Sequence, residues 1–196
     1  FDPRYAQLRE SIKRGELGEI VHMYFRRTNP RANAKRLNGR ASIFYYIGVH
    51  DFEMMCSYSQ SRPIKVYCRK VQKVNAYIPS EDTIFATIDF ADGSIGVVEL
   101  CWALPNNSAL GINTYAEILG TEGVGYINIQ DQGISIITEE SVLYPDTLHW
   151  PEYNGMLLGD LKEELAHFVT ATLSGVPYIV DNRNALMAAT IIDACF

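Results

Sequence analysis

No stretch of this 196-residue chain approaches the ~18 uninterrupted apolar residues of a membrane-spanning helix. The opening Phe1-Asp2-Pro3-Arg4 leads straight into polar, helix-like sequence, without the apolar centre of a secretory signal. Cysteine is scarce. Cys56, Cys68, Cys101 and Cys195 lie far apart and no two form a C-x-x-C unit, so neither a zinc site nor a redox motif has spacing to rest on, and no metal is expected. Unpaired thiols among apolar neighbours suit a reducing cytoplasm. Basic residues are outnumbered, 17 against 23 acidic, giving a net charge of -6, which argues against a nucleic-acid partner and against docking on anionic lipid. A G-x-G-x-x-G dinucleotide turn is missing as well: Gly93-Ser94-Ile95-Gly96 follows one strand-like segment but enters another. There is no initiating methionine, and residues 185–196 end the chain inside an apolar, helix-like run. We therefore expect one domain over residues 1–196, cut from a longer protein.

What is present reads as an ordinary globular sequence, 47% hydrophobic and 20% charged. Residues 3–15 have helical spacing of Tyr5, Leu8 and Ile12, with Pro3 in the first turn and Gly15 as the stop. Residues 18–25 favour a strand. Residues 26–40 are polar, basic and rich in Asn, and are expected to form a long loop. Helical spacing returns over residues 45–59. Strand signals then follow one another at 64–74, 83–90, 94–102, 113–119, 125–129 and 133–138. Asp92-Gly93 marks a tight hairpin, and Gly120-Thr121-Glu122-Gly123 another turn. Helices are expected over residues 160–172 and from a cap at Asp181 or Asn182 to the end. The expected fold class is α+β: a large, open, mostly antiparallel sheet of at least six strands, with helices 3–14, 48–59 and 160–172 on one face. The other face would then stay open, and apolar strand residues there predict a face-to-face homodimer, or a homotetramer built from it.

The segment Tyr45-Tyr46-Ile47-Gly48-Val49-His50-Asp51 is the most informative for chemistry. Tyr46 and His50 are four apart and would share a helix face. His50 would stand in or near the first helical turn, whose partial positive charge disfavours a second one. Its imidazole would then stay neutral and ready to accept a proton. The plainer reading of a lone histidine is a hydrogen-bonded core or capping residue. Arg26, Arg27 and Asn29 close the first strand with donors that suit a polyhydroxylated ligand; a solvated loop explains them equally. Arg36 and Arg40 precede the helix and have the chemistry to clamp an acid or a phosphate. His22, His149 and His167 read as structural.

Taken together, these segments resemble the C-terminal domain of the glucose–fructose oxidoreductase and inositol dehydrogenase (Gfo/Idh/MocA) family. Phe1-Asp2-Pro3-Arg4-Tyr5 and residues 15–21 resemble the start of that domain. Gly48-Val49-His50-Asp51 is similar to the end of the family's D-x-G-x-H-D motif, and Glu117–Gly123 to its E-I-x-G-x-x-G turn. Residues 160–175, with Asp181, resemble the closing pair of helices.

The resemblance implies an N-terminal Rossmann domain that binds NAD or NADP, with a sugar, inositol or related polyol held between the two domains. A hydride would pass between a secondary alcohol carbon and the nicotinamide. A lysine of the first domain, an aspartate and a histidine would handle the hydroxyl proton. The histidine falls on His50. The aspartate falls on Tyr46, a departure, since an unperturbed tyrosine titrates near 10 and is a poor base. The expected site is therefore His50 and Tyr46 as catalytic groups, with Asn29, Arg26, Arg40 and Asp51 on the substrate; the cofactor contacts lie outside this chain. Family members also include sugar-responsive regulators without turnover, which the Tyr46 substitution keeps in play. A pure dimerisation module would leave the polar approach to His50 unexplained.

Overall fold

The computed structural model of the chain describes residues 1–108, 111–130 and 132–196. Asp2 opens the first helix, α1 (Pro3–Lys13). Its carboxylate accepts the Arg4 backbone N–H at 2.9 Å, while Pro3 takes a position where no N–H is needed. Strand β1 (Ile20–Pro30) follows, then a short helix α2 (Arg31–Leu37). The expected long loop over 26–40 is thus corrected: strand and helix occupy most of it. Arg27 turns inward and is neutralised by a carboxylate 24 residues on, so polar composition was a poor guide to exposure there.

The next helix is continuous from Ile43, but its first part, Phe44–Gly48, is a wide π turn before α3 (Val49–Ser59). Wide turns of this kind are rare and concentrate at functional sites. Gly48 sits where α3 crosses the sheet; a Cβ there would overlap the Leu100 side chain.

Six strands make the main sheet: β2 (Pro63–Val71), β3 (Thr83–Phe90), β4 (Ile95–Leu104), β1, β5 (Asn113–Gly120) and β6 (Val124–Asn128), in that spatial order. Every neighbouring pair is antiparallel except β1 with β4. The Asp92-Gly93 hairpin forms as expected. Asp92 Oδ1 accepts from Ser94 N at 3.0 Å, and Gly93 takes φ of 90°, where glycine is favoured. Residues alternate strictly along β3, β4 and β5. Phe25, Ile88, Leu100, Trp102 and Ile118 point to the helices and are buried, each stabilising by roughly 1.5–3 kcal/mol. Thr87, Val97, Glu99 and Tyr115 occupy the opposite, open face, with the more exposed Phe85 and Tyr126 beside them.

Helix α5 (Asn182–Ala194) starts from an Asp181 cap that accepts from Arg183 N at 2.8 Å. It buries Ala188, Ile191 and Ile192 and packs chiefly on α3. Leu100 and Trp102 belong to the helix-facing set, to which strand alternation turns them. One expectation fails. Helix α4 (Asp160–Ser174) exists but does not cover the sheet: Leu161, Leu165, Phe168 and Val169 are exposed, and only Ala171 is buried. The expected strand over 133–138 shrinks to β7 (Ile136–Ile137), paired with β8 (Val142–Leu143); β9 (Glu152–Tyr153) and β10 (Met156–Leu157) form another small ladder. No helix among the described residues is long and apolar enough to cross a membrane.

Candidate functional site

Arg27 projects from β1 towards α3 and meets Asp51 in a two-pronged contact, Nε to Oδ2 at 2.7 Å and Nη2 to Oδ1 at 3.0 Å. The Asp51 side chain is 1% exposed and that of Arg27 15%. This fork–fork geometry is the strong form of a charge-assisted hydrogen bond. Desolvation works against the Arg27 charge, but Asp51 outweighs it and holds the guanidinium above its ordinary value. Tyr5 from α1 lies in the same electrostatic neighbourhood, and burial pushes its phenol up.

His50 precedes Asp51 on α3. It is exposed, and its ring has no hydrogen-bond partner among the described residues. The atoms crowding its inner side nevertheless disfavour a charge. Desolvation first, then the Arg27 cation, lower its pKa below the ordinary 6.5, and Asp51 opposes them in part. The result is the neutral imidazole expected from the sequence, reached by another route. The helix starts at Ile43, so His50 is beyond its first turn, where the dipole effect has faded; burial and a buried guanidinium do the work instead.

Tyr46 lies one turn earlier, in the π turn. Its ring packs 6.2 Å from that of the buried Trp102, with the Arg36 guanidinium 5.6 Å above it, and Arg36 also donates to its hydroxyl. No hydrogen bond joins Tyr46 to His50 among the described residues, so the expected pairing is replaced by one with Arg36. Arg40 is spent on the end of α2, where its Nε donates to Leu37 O at 3.1 Å and its Nη2 to Arg36 O at 2.9 Å. Asn29 is buried at 2%, and its Oδ1 has no hydrogen-bond partner among the described residues.

Arg26 is not brought to this cluster. Strand alternation turns it to the open sheet face, where its guanidinium lies 5.6 Å over the Tyr115 ring and its register partner on β4 is Glu99. Arg27, one residue later, is the member of the pair that reaches the helix face. The signal that could have separated them was the phase of Met23 and Phe25, which share its parity. Asp51, expected on a substrate, has both oxygens occupied by Arg27.

Two other clusters lie elsewhere. Asp2, His149 and Asp160 bring ligand-type atoms within 4.8 Å of one another. However, Arg4 holds both oxygens of Asp2 and His149 Nδ1 is 2.9 Å from Asp160 Oδ2, which makes a closed set of ion pairs. An open groove between α1 and β6, lined by Arg4, Ser11, Arg14, Tyr126 and Asn128, contains none of the residues around His50.

The chain is 25% identical over 191 residues to scyllo-inositol 2-dehydrogenase (NAD(+)) of Bacillus subtilis (strain 168), covering 94% of this chain and 54% of that protein. Among solved structures, myo-inositol 2-dehydrogenase from Lactobacillus plantarum superposes with a TM-score of 0.76 at 17% identity, over 99% of this chain and 58% of that one. Scyllo-inositol dehydrogenase from Lactobacillus casei, with bound NAD(H) and scyllo-inositol, gives 0.72 at 16% identity over 100% and 60%. The chain thus spans about half the length of the relatives it matches. The family model described as the GFO/IDH/MocA C-terminal domain matches residues 5–125, more than half of the sequence, and the chain belongs to that family.

Proposed function

We propose that this chain is the substrate-side domain of an NAD(P)-dependent dehydrogenase acting on a secondary alcohol of an inositol, sugar or related polyol. One observation carries the reading: His50 is open to solvent on one side, has no hydrogen-bond partner among the described residues, and is biased to its neutral form by burial and by Arg27. That is the state a proton acceptor needs. The inositol dehydrogenases among its relatives support the substrate class.

In this reading the cofactor contacts lie outside this chain. Its glycine turns at Asp92-Gly93 and Gly120–Gly123 each join two strands of the sheet, so neither presents a helix N-terminus to a pyrophosphate. The rest of the protein would hold the cofactor, and NAD is favoured by the named relatives. A bound nicotinamide would supply the hydride acceptor. For its part, His50 Nε2 or Nδ1 accepts the hydroxyl proton, and Asp51 holds that stretch of helix through Arg27. Tyr46 lines the same helix, with its phenol committed to Arg36. Asn29 remains a substrate contact in this reading. Its orphaned Oδ1 costs about 1–3 kcal/mol unless a hydroxyl or water reaches it. Arg26 and Arg40 fall outside the reaction zone.

The open face of the sheet supports a homodimer, or a tetramer containing it, and the four unpaired cysteines support a cytoplasmic setting. Turnover by the full-length protein, followed by nicotinamide absorbance across inositols, sugars and sugar acids, tests the reading. Activity on a polyol that falls in His50→Ala is the expected result. Undiminished turnover in that variant would remove His50 from the chemistry. Ligand binding without any turnover would favour a sensing regulator, which the replacement of the motif aspartate by Tyr46 also suits.

A further inference from the structure

We propose that Arg27 and Asp51 are positioning residues for His50, a buried ion pair that aims the imidazole and sets its charge state. The proposal gives the proton-acceptor reading of His50 its device, and rests on that reading for its catalytic meaning.

The geometry comes first. Asp51 is next in sequence to His50, so fixing its carboxylate fixes the rotation of α3 at the point where His50 emerges. Arg27 is on a central strand with neighbours on both sides, β4 and β5, and its fork grips both carboxylate oxygens. A fork resists rotation about the contact in a way a single donor does not. The helix is therefore referenced to the rigid sheet within a residue of the imidazole. The immediately preceding π turn and the Gly48–Leu100 approach fix the other side of the same stretch.

Electrostatics follows from the same contact. The elements packed around α3 carry Arg4, Arg9, Glu10 and Lys13 on α1, with Tyr5, and His22, Arg26 and Arg27 on β1; α5 carries Arg183 and Asp193, and α3 itself Asp51 and Glu53. The acid on β4, Glu99, is on the opposite sheet face with Tyr24. Arg9 acts on Glu53, and Asp193 accepts from Tyr45. Desolvation is the largest influence on His50; among the described residues the charges that bear on it are Arg27 and Asp51, with opposite signs, and Arg27 is the stronger.

The signs make the test. In the full-length protein, the His50 imidazole is followed by NMR titration with histidine-selective labelling, its resonance assigned by its loss in His50→Gln. Arg27→Gln removes the cation, so the His50 midpoint should rise. Asp51→Asn removes the anion and leaves the cation, so the midpoint should fall. The double variant should return towards wild type, slightly above it. The acid limb of kcat/KM against pH should move in the same directions. Arg27→Lys keeps the charge and gives up the fork: its midpoint should stay at the wild-type position while kcat falls. This variant carries the test if Arg27→Gln does not fold. Midpoints that move the same way in both single variants, or do not move, overturn the proposal. The reading of His50 as proton acceptor fails separately, if His50→Gln retains wild-type turnover whatever the titrations show.

Discussion

The Arg27 guanidinium and the Asp51 carboxylate meet face to face beneath α3, at 2.7 and 3.0 Å, with Asp51 1% exposed. Removing one member of a buried pair strands the other, at a cost of about 3–5 kcal/mol, whereas replacing both with apolar groups of similar volume costs much less or nothing. We expect Asp51→Leu and Arg27→Met each to lower unfolding stability by about that amount and Arg27→Met/Asp51→Leu to recover most of it. Chemical denaturation of the four proteins of the cycle measures the coupling. Additive effects would show that the two side chains do not depend on each other.

A proton acceptor works only when deprotonated. The lowered His50 value places its titration below 6.5, so oxidation of the alcohol should be pH-independent through neutrality and should fall as pH drops through that lowered value. His50→Ala should reduce kcat/KM by about 10²–10⁴-fold, flatten the acid limb, and leave dinucleotide affinity nearly unchanged. Steady-state rates from acid to neutral pH, with calorimetry for the cofactor, check all three.

Gly48 is fixed by space. An added methyl would overlap Leu100, and overpacking of this kind typically costs about 1–3 kcal/mol. Gly48→Ala should lower the melting temperature and the activity together, since it lifts α3 where His50 emerges. Gly48→Ala/Leu100→Val should regain part of both. A Gly48→Ala protein as stable as wild type would show that α3 does not approach β4 this closely.

On the open face, Phe85 is 50% exposed and lies across from Arg69 and Glu99 in register. A charge there is tolerated in a monomer and costly in a dry interface between copies. Phe85→Asp should shift the full-length protein to a smaller species in sedimentation velocity without changing its circular dichroism. A wild-type protein that sediments as a monomer at micromolar concentration would contradict the face-to-face dimer.

Several of these features were legible before any coordinates. The Pro3 helix start, the Asp92-Gly93 hairpin and the Asp181 cap rest on contacts within a few residues, and the sequence states such contacts directly. His50 stood out through its motif neighbours Gly48 and Asp51. Arg27 was legible only as one of three polar donors closing a strand; its pairing with Asp51 was not, because it comes from a partner on another element and from the phase of a strand that runs on to Pro30 through polar residues. Arg26 and Arg27 look alike on paper; the alternation of β1 sends one to each face. The stripe Leu161, Leu165, Phe168 and Val169 announced a helix, but nothing in the stripe says what would cover it, and in this chain the sheet does not.

The sequence by itself determined the α+β class, the run of strands from β2 to β6 and the family to which the chain belongs. These depend on hydrophobic period, turn chemistry and motif order, which are local or additive along the chain. Only the tertiary structure decided that β1 inserts between β4 and β5, parallel to the former. It likewise decided that the neutrality of His50 comes from burial and Arg27 rather than from a helix end. Both outcomes turn on groups far apart in sequence, whose desolvation and charge are felt only once the sheet and α3 have closed on each other.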